Sequence, residues 1–379
     1  MNIHQLVVTG QHEPIAPTVT MGESANLLLL FAPREWIEDE DFMQRVSAAY
    51  PSGTSIVGCS SAGEMADDQA LGDCAVLTHL ALDKTQVQIN VFNVDDSENS
   101  HDCGQKIGEQ MNAQGEDLSY VMIFSDGLAV NGSMLVDGLA VPLQDVCDFS
   151  GGLAGDGADF NKTVVVAEGK AMSNAIVAVG FYGSQFHSSS ASVSGWKPFG
   201  PFRKVTKSQH NVVEELDGES ALKIYSSYLG EEAENLPFSG LLYPLEVHHD
   251  AVEDSVIRTL LAVDEDKGTL TFAGDILEGS SVRLMNASYN YLVDGAREAA
   301  TKAAKGVGQA QAALCVSCVG RKLAMGGYTD LEVEAVREVL PEDAFLCGFH
   351  SYGEIGPSGN GVGYDLHNQT MTVVFFKES

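Results

Sequence analysis

A motif of small residues occurs three times in the chain and strongly limits the folds that the chain can adopt. Two copies, G-C-S-S-A-G-E at 58–64 and G-F-H-S-Y-G-E at 348–354, share four of seven residues, and a looser copy, G-G-L-A-G-D, lies at 151–156. Each copy follows an apolar run, a helix-like segment, a proline and a second apolar run. Because this order is typical of parallel strands joined by a helix, the sequence predicts repeated strand-helix-strand units in a mixed α/β (α+β) fold.

Proline positions and β-rich segments predict how each unit ends. The prolines at 51, 142 and 341 are expected to terminate the helices, because proline cannot continue a helix. After each motif, two β-rich segments predict a β-hairpin. The three predicted hairpins pair 75–82 with 87–94, 163–167 with 175–181, and 363–367 with 370–376.

A segment of different character separates the second unit from the third. It predicts a helix at 217–229, two strands at 256–263 and 269–272, and a helix at 289–305. The polar residues before Asp217-Gly218 predict a boundary there, so the chain is expected to form two related domains, 1–215 and 216–379.

Acidic residues dominate the charge of the chain and exclude two classes of function. The 53 acidic and 21 basic residues give a formal net charge of -32, which argues against binding to nucleic acid or to anionic membranes. No apolar run approaches the roughly 18 residues of a membrane span, and the N-terminus has no signal-peptide pattern. Seven scattered cysteines fit a reducing compartment, so we expect a cytoplasmic protein.

Cysteine spacing gives little support for a metal site. Cys315 and Cys318 form a lone C-x-x-C inside an apolar, strand-like run. Residues three apart in a strand point to opposite faces, which suits buried core thiols better than ligands of one ion.

The glycine motifs themselves are the predicted ligand sites. Glycines just past a strand end allow a ligand to approach the backbone closely, and sites in α/β sheets tend to lie beyond the carboxyl ends of strands. The turn at 151–157 is also a candidate anion site through its amides, although it lacks the Lys-Ser/Thr of a phosphate loop.

These motifs resemble those of the FIST family, whose FIST N and FIST C domains occur in bacterial signal transduction. The resemblance rests on 58–64 and 151–156 and, near the C-terminus, on G-F-H-S-Y-G-E-I-G-P at 348–357 and H-N-Q-T-M-T-V at 367–373. It spans nearly the whole chain and implies a sensory module for small ligands, with amino acids among those proposed. One branch, the NosP type, binds haem, senses nitric oxide and controls a partner histidine kinase or cyclic-di-GMP enzyme.

His350 is the residue through which the chain resembles the haem-binding branch. The resemblance implies haem b with His350 as the iron ligand, because a gas-sensing haem needs one protein ligand and an open sixth position. The predicted surroundings of the haem are Gly348, Phe349, Tyr352 and Gly353.

Other residues are weaker candidates for this cofactor. Arg203 and Lys204, which form a basic island with Lys207, are predicted to pair with the haem propionates. The competing iron ligands are His187, His210, His248 and His249. His367 is expected to serve a turn instead.

Two further functions remain open at this point. The first is a sensor without haem that binds an amino acid or similar metabolite between the two domains. The second is a thiol enzyme that uses Cys59 as nucleophile, with Glu64 and Glu354 as an acid-base pair or, more simply, as acceptors of backbone amides.

The leading prediction is a sensor of nitric oxide rather than an enzyme. No kinase, cyclase or phosphodiesterase motif is visible, so its output is expected to pass through a partner protein. The oligomeric state is left open, with a homodimer as one option.

Overall fold

A computed structural model describes residues 1–16, 25–115, 117–249, 255–359 and 363–379, and only the backbone of 25 and 26. Within these residues the chain forms three units of similar architecture, and an inserted domain interrupts the third. The mixed α/β fold with repeated strand-helix-strand units is therefore confirmed.

The elements follow in chain order. The first unit contains β1 (Asn2–Val8), β2 (Ala25–Ala32), α1 (Arg34–Glu38), α2 (Glu40–Ala49), β3 (Ser55–Ser60), β4 (Glu64–Ala66), β5 (Gln69–Leu71) and β6 (Ala75–Leu82). The second contains β7 (Gln86–Asn93), α3 (Ser100–Ala113), β8 (Leu118–Ser125), α4 (Gly132–Leu143), β9 (Asp148–Leu153), β10 (Val165–Ala167), β11 (Lys170–Met172) and β12 (Ala175–Tyr182).

The third unit surrounds the inserted domain. It begins with β13 (Phe186–Val193), after which the inserted domain contains β14 (Lys197–Gln209), β15 (Val212–Leu216), β16 (Glu219–Ser220), α5 (Ala221–Leu229), β17 (Leu245–His248), β18 (Val256–Arg258), β19 (Leu260–Asp264), β20 (Thr269–Phe272) and β21 (Ser281–Asn286). The unit resumes with α6 (Tyr289–Val307), β22 (Ala312–Cys318), α7 (Val319–Met325), α8 (Asp330–Arg337), β23 (Phe345–Ser351), β24 (Gly353–Pro357), β25 (Tyr364–His367) and β26 (Met371–Glu378).

Each unit builds its sheet around one parallel pair of strands, which are β2–β3, β8–β9 and β22–β23. The last strand of the unit lies antiparallel to the first strand of that pair, as β6, β12 and β26 do. The first strand of each unit pairs antiparallel with its last strand, as β1 does with β6, β7 with β12 and β13 with β26.

The free edge of each parallel pair is completed by a hairpin from another unit. The hairpin β4–β5 of the first unit pairs with β23 of the third. The hairpin β24–β25 of the third unit pairs with β9 of the second. The hairpin β10–β11 of the second unit pairs with β3 of the first. The three units are therefore joined in a closed cycle.

This exchange overturns the hairpins predicted from the sequence. The strands β6 and β7 are neighbours in the chain but lie in different sheets, and the same holds for β10 and β12 and for β25 and β26. The short segments between them carry the chain from one sheet to another, which alternating apolar residues cannot reveal. In the inserted domain, the strands predicted around Asp264–Gly268 do pair, as β19 and β20.

Two of the three predicted helix ends are confirmed. Helices α2 and α8 end before Pro51 and Pro341, whereas α4 continues through Pro142 to Leu143. Pro142 lies in the last turn, where a missing N–H interrupts a single helical hydrogen bond. The predicted helices at 217–229 and 289–305 are present as α5 and α6.

The inner faces of the three sheets share one core. Phe31, Phe124 and Phe349 come from different units and are fully buried, and the ring of Phe31 lies 4.7 Å from Phe349 and 5.7 Å from Phe124 between centroids. Helices cover the outer faces, with α2 on the first sheet, α3 and α4 on the second, and α6 and α8 on the third. In the part of the chain that the structure describes, no helix has the length and apolar character needed to cross a membrane.

The first glycine of each motif lies within a strand, not in a turn. A Cβ added at Gly58, Gly151 or Gly348 would lie 1.8, 1.9 or 2.2 Å from the carbonyl oxygen of the residue opposite on the parallel strand. These glycines are therefore required by close strand packing, which corrects the expectation that they open the backbone to a ligand.

The inserted domain has a core of its own, which includes Tyr225, Leu260 and Phe272. Its sheet joins β14 and β15 to β20 and β21, so strands from both sides of position 215 share it. The division into 1–215 and 216–379 stays a prediction. One side of this domain faces α4 and β25 of the main body, and the candidate site lies there.

Candidate functional site

The three glycine motifs meet and form a buried hub. Backbone hydrogen bonds connect them in a cycle, from Ala62 N to His350 O (2.9 Å), from His350 N to Gly63 O (2.7 Å), from Gly155 N to Ser60 O (2.9 Å) and from Tyr352 N to Leu153 O (3.1 Å). The amide of Gly157 also donates to Ser61 O, so several amides of this region are used within the protein. The anion site predicted at 151–157 stays a prediction, and these contacts do not support it.

A buried carboxyl group fastens the hub in two of the motifs. Glu354 accepts hydrogen bonds from Ser351 Oγ (2.6 Å) and from both N (3.1 Å) and Oγ1 (2.9 Å) of Thr370. Glu64 accepts one from Ser61 Oγ at 2.5 Å, and Cys74 Sγ lies 3.8 Å away. Burial raises the pKa of Glu64 to about 7 and that of Glu354 to about 8. Their contacts favour the simpler interpretation, in which both carboxyls hold the backbone rather than act as an acid-base pair.

His350 lies in this hub and is fully buried. Its Nδ1 is 3.3 Å from Gly63 O, and its Nε2 is 3.5 Å from Oε1 of Glu332. Glu332 also forms a buried ion pair with Arg321, whose Nε donates to it at 2.9 Å. Burial would raise the pKa of Glu332, but Arg321 and His350 outweigh burial and bring it to about 2. Burial lowers the pKa of His350, against the influence of Glu332, and favours a neutral ring.

This environment does not fit an axial haem ligand. An iron ligand needs a free ring nitrogen beside a space for the macrocycle, whereas both nitrogens of His350 face protein atoms within 3.5 Å. The neighbouring Phe349 packs in the shared core, and a side chain at Gly353 would contact Leu366 at 3.0 Å. Haem binding stays a prediction, and these contacts do not support it at His350.

The remaining residues predicted for haem make contacts with other protein groups. Tyr352 donates a hydrogen bond from its hydroxyl to Asp156 and stacks on Phe160 with ring centroids 4.4 Å apart. Arg203 is on the exposed strand β14, where it contacts Asp217 (3.0 Å) and the hydroxyl of Tyr228. The amide of Lys204 donates to the same Asp217 at 2.8 Å.

The competing histidines are scattered. His187 contacts Ser379, His248 lies 3.3 Å from Glu246, His210 is exposed beside Asp275, and the buried His367 contacts the carbonyl of Pro357 at 3.0 Å. His249 lines the cleft described below. Among the described residues, no group of three or more His, Cys, Asp or Glu side chains is arranged to hold a metal ion.

The cysteines are buried thiols with little nucleophilic character. Burial raises the pKa of Cys59 and Cys315 well above the usual value, and it also raises that of Cys318. Since the thiolate is the nucleophile, these shifts disfavour the Cys59 enzyme. Both residues of the C-x-x-C are free and buried, as expected for core thiols.

A cleft between the inserted domain and the main body offers a better candidate site. It encloses about 180 Å³ and has Arg258 in its wall. Three carboxyl groups, those of Asp137, Asp275 and Asp365, line the same cleft. The cleft therefore presents charges of both signs to a small molecule.

Arg258 is the dominant feature of this cleft. The residue is only 5% exposed, and its guanidinium donates to the carbonyl oxygens of Leu366 (2.8 Å), Asp275 (3.2 Å) and Ile257 (3.3 Å) and to the hydroxyl of Ser133 (3.4 Å). No described carboxylate forms an ion pair with it within 4.0 Å, and the three aspartates act on it only from longer range. All three nitrogens of the guanidinium donate to uncharged oxygens, so what Arg258 lacks among the described residues is a close anionic partner, which buried arginines usually have.

Two other polar groups at the cleft bear on the kind of molecule that it could bind. The side chain of Ser280 is fully buried at the cleft, and its Oγ has no hydrogen-bond partner among the described residues. Desolvation and the neighbouring Asp365 raise the pKa of Asp137. An ammonium group placed among the aspartates would relieve their mutual repulsion.

Sequence reasoning missed this cleft because its residues come from distant segments. One signal was available, since Arg258 is a lone charge within the apolar, strand-like run 256–263. A charged residue in such a run is buried at a cost unless something pairs with it. The aspartates gave no comparable signal in a chain with 53 acidic residues.

Comparisons with known proteins cover most of the chain. The sequence matches the FIST N domain over residues 26–219 and the FIST C domain over residues 221–357. No curated protein gives a match. Among solved structures, a chorismatase determined at 1.08 Å resolution is similar in fold over 99% of this chain and 98% of its own, with 7% identity and a TM-score of 0.38. A likeness at this level carries no argument about function.

Proposed function

This chain belongs to the FIST family, and from that premise we propose that it is a sensor of a small zwitterionic metabolite of the amino-acid type. FIST domains are sensory domains of signal transduction that bind small ligands. The observation that carries the proposal is the buried Arg258, which lacks a close carboxylate partner at the wall of an acidic cleft.

Charge complementarity defines the ligand. A carboxylate on the ligand would take the place of the missing partner of Arg258, forming a charge-assisted hydrogen bond. An ammonium group would lie among Asp137, Asp275 and Asp365, and the hydroxyl of Ser280 would gain a partner. An α-amino acid carries both groups on one carbon atom, which suits the small volume of the cleft.

The output of the sensor belongs to the same proposal. The cleft lies between the inserted domain and the main body. A ligand that contacts both would shift the equilibrium between different relative positions of the two. A partner histidine kinase or cyclic-di-GMP enzyme would read that change. A cytoplasmic location is part of the proposal, supported by seven cysteines that form no disulfide.

Calorimetric titration with a panel of amino acids tests the proposal. We expect at least one of them to bind the parent protein, and Asp137→Asn to weaken that binding about tenfold, since one charge interaction with the ammonium is lost. Asp145→Asn provides the matched control, because Asp145 is exposed just beyond the same helix, α4, and outside the cleft. Equal loss in both variants, or no binding to the parent, would sink the proposal.

Haem-based sensing of nitric oxide is the second candidate. The observation in its favour is that Nε2 of the buried His350 makes no close hydrogen bond, since its nearest acceptor, Oε1 of Glu332, lies 3.5 Å away. Haem binding there would require β4 to separate from β23, because Gly63 and Glu332 enclose the ring. A Soret band after haem titration, lost in His350→Ala and retained in His187→Ala, would support this candidate.

A further inference from the structure

The charges that line the Arg258 cleft do not balance. Asp137, Asp275 and Asp365 bring negative charge to it, and Arg258 is the only lysine or arginine among the described residues of its wall. His249 also lines the cleft and is counted as neutral at pH 7. The described wall therefore has an excess of two negative charges, which a ligand with one ammonium group and one carboxylate would leave unchanged.

Neighbouring groups orient two of these carboxylates without neutralising them. Asp275 accepts a hydrogen bond from Nδ2 of Asn131 at 3.0 Å, and Asp365 accepts one from Oγ of Ser358 at 2.5 Å. Both donors are uncharged. Among the described residues, the only basic side chain within 4.0 Å of any of the three carboxylates is the exposed His210, whose Nδ1 lies 3.9 Å from Asp275.

The three carboxylates repel one another across the cleft. Desolvation raises the pKa of Asp137, and the charges of Asp365 and Asp275 raise it further, against the opposing influence of His101 and Arg258. Because an added positive charge favours the ionised form of each carboxylate, a cationic ligand would relieve this repulsion.

The placement of the aspartates suits an extended organic cation better than a metal ion. Asp137 belongs to α4, Asp275 to the segment before β21 and Asp365 to β25. In the described parts of the chain, no three His, Cys, Asp or Glu side chains are placed to hold a metal ion. The aliphatic side chains of Val247 and Leu277 line the same cleft, so a ligand with cationic groups on a methylene chain would contact both kinds of wall.

We propose that the cleft binds an α-amino acid whose aliphatic side chain carries a second cationic group, as in lysine or ornithine. The ligand's carboxylate lies near Arg258, its two cations share the three aspartates, and its methylene groups lie against Val247 and Leu277. Ser280 gives independent support, since its hydroxyl is fully buried at the cleft, has no partner among the described residues and would gain one in the ligand. The inference rests on the proposed function and adds the charge of the side chain that the site selects.

Calorimetric titration of the full chain with two matched pairs of ligands tests the inference. L-norleucine has the skeleton of L-lysine without the side-chain ammonium, and L-norvaline stands in the same relation to L-ornithine. We expect lysine or ornithine to bind at least about tenfold more tightly than its uncharged counterpart, since it makes one further charge-assisted hydrogen bond. The diamine 1,5-diaminopentane, which is lysine without the carboxylate, should bind more weakly than lysine because it leaves Arg258 without a close anion.

The double variant Asp275→Asn/Asp365→Asn leaves one of the three carboxylates in the cleft. It should reduce the preference for lysine or ornithine over the uncharged counterpart to less than about threefold. The matched control is Asp145→Asn/Asp159→Asn, which removes the same charge from exposed positions outside the cleft. A preference that survives in the cleft variant, or that falls equally in the control, would overturn the inference.

The ligand comparison in the parent protein separates this inference from the proposed function. Norleucine and norvaline that bind as tightly as lysine and ornithine would overturn the second cation while the proposed function stands. Equal binding of lysine and 1,5-diaminopentane would remove the role of the carboxylate and overturn both. Absence of binding for the whole panel would also overturn both.

Discussion

The hydroxyl of Ser280 is buried and has no hydrogen-bond partner among the residues that the structure describes, and a buried hydroxyl without a partner costs free energy. We predict that Ser280→Ala leaves the melting temperature unchanged or raises it, because removal of an unpaired polar atom relieves a desolvation penalty. Binding of the amino-acid ligand should weaken by about 1 kcal/mol, roughly fivefold, since one hydrogen bond to the ligand is lost. Differential scanning fluorimetry and calorimetry of the same variant measure the two effects.

A purely structural serine would show a different pattern. If Ser280 stabilised the fold through contacts of its own, Ser280→Ala would lower the melting temperature and leave ligand affinity unaltered. That result would remove Ser280 from the proposed site.

The repeated glycines make a separate prediction at the same scale. Gly348→Ala would place a methyl group 2.2 Å from the carbonyl oxygen of Cys315, so the parallel pair β22–β23 must separate or the residue must strain. We expect a loss of about 3 kcal/mol or more in the free energy of unfolding. Gly327→Ala, where a Cβ would meet nothing within 4 Å, should be nearly neutral in urea unfolding. Equal stability of the two variants would contradict the packing role.

At the scale of elements, a buried glutamate connects each of the motifs at 58–64 and 348–354 to a following turn. Glu354 holds Thr370, which precedes β26, and Glu64 lies beside Cys74, which precedes β6. The two contacts occupy equivalent places in the first and third units. This equivalence explains why a serine and a glutamate recur together in the motifs at 58–64 and 348–354.

The raised pKa of Glu354 predicts how stability depends on pH. In the unfolded chain this carboxyl loses its proton near pH 4.5, whereas in the folded protein its pKa is about 8. Unfolding therefore releases a proton between these values, and stability falls as pH rises through that window, by at most about 1.4 kcal/mol per pH unit. Glu354→Gln, which cannot titrate, should flatten this slope between pH 5 and 8.

Urea unfolding of the parent and of Glu354→Gln at several pH values measures the difference. Glu64 remains in the variant and titrates over part of the same window, so the slope should be reduced rather than abolished. Identical slopes in the two proteins would show that Glu354 does not carry the buried proton.

Regular elements were predictable from the sequence where the period of apolar residues decides the structure. The three strand-helix-strand units, α5, α6 and the β19–β20 pair all follow from local patterns. The partners of the remaining strands did not follow, because β6 and β12 have the same alternation whether they fold back on a neighbour or cross to another sheet. Helix α4 continues through Pro142 because the last turn of a helix tolerates the loss of one backbone N–H donor.

For the whole molecule, the main consequence of the fold is that no unit completes its own sheet. The first unit needs the hairpin β10–β11, the second needs β24–β25 and the third needs β4–β5. The shared core also takes large side chains from all three units. Because each sheet contains strands from two units, we expect the three units to fold and unfold together.

We predict that the fragment 1–215 does not fold as the intact protein does. Without the third unit, β9 loses the strand β24 and the hairpin β4–β5 loses β23, so apolar surface and backbone amides are exposed. Circular dichroism and limited proteolysis should show a loosely packed or aggregated fragment. A protease-resistant fragment with a cooperative melting transition would contradict the cyclic dependence and support an independent N-terminal domain.

The position of the candidate site also depends on this arrangement. The repeated motifs were visible in the sequence, but their role is to form the buried hub, which the sequence could not distinguish from a ligand-binding turn. Arg258, Asp137 and Asp365 come from the inserted domain, the second unit and the third unit, and only the tertiary fold brings them together. Such a site depends on distances between segments more than 100 residues apart, which local patterns do not encode.

A crystal structure of the protein grown with the tightest-binding amino acid tests the central claim most directly. The account predicts electron density in the cleft, with the ligand carboxylate near Arg258, its ammonium group among Asp137, Asp275 and Asp365, and Ser280 in hydrogen-bond contact. Density for a ligand at the hub beside His350, or a haem there, would contradict it.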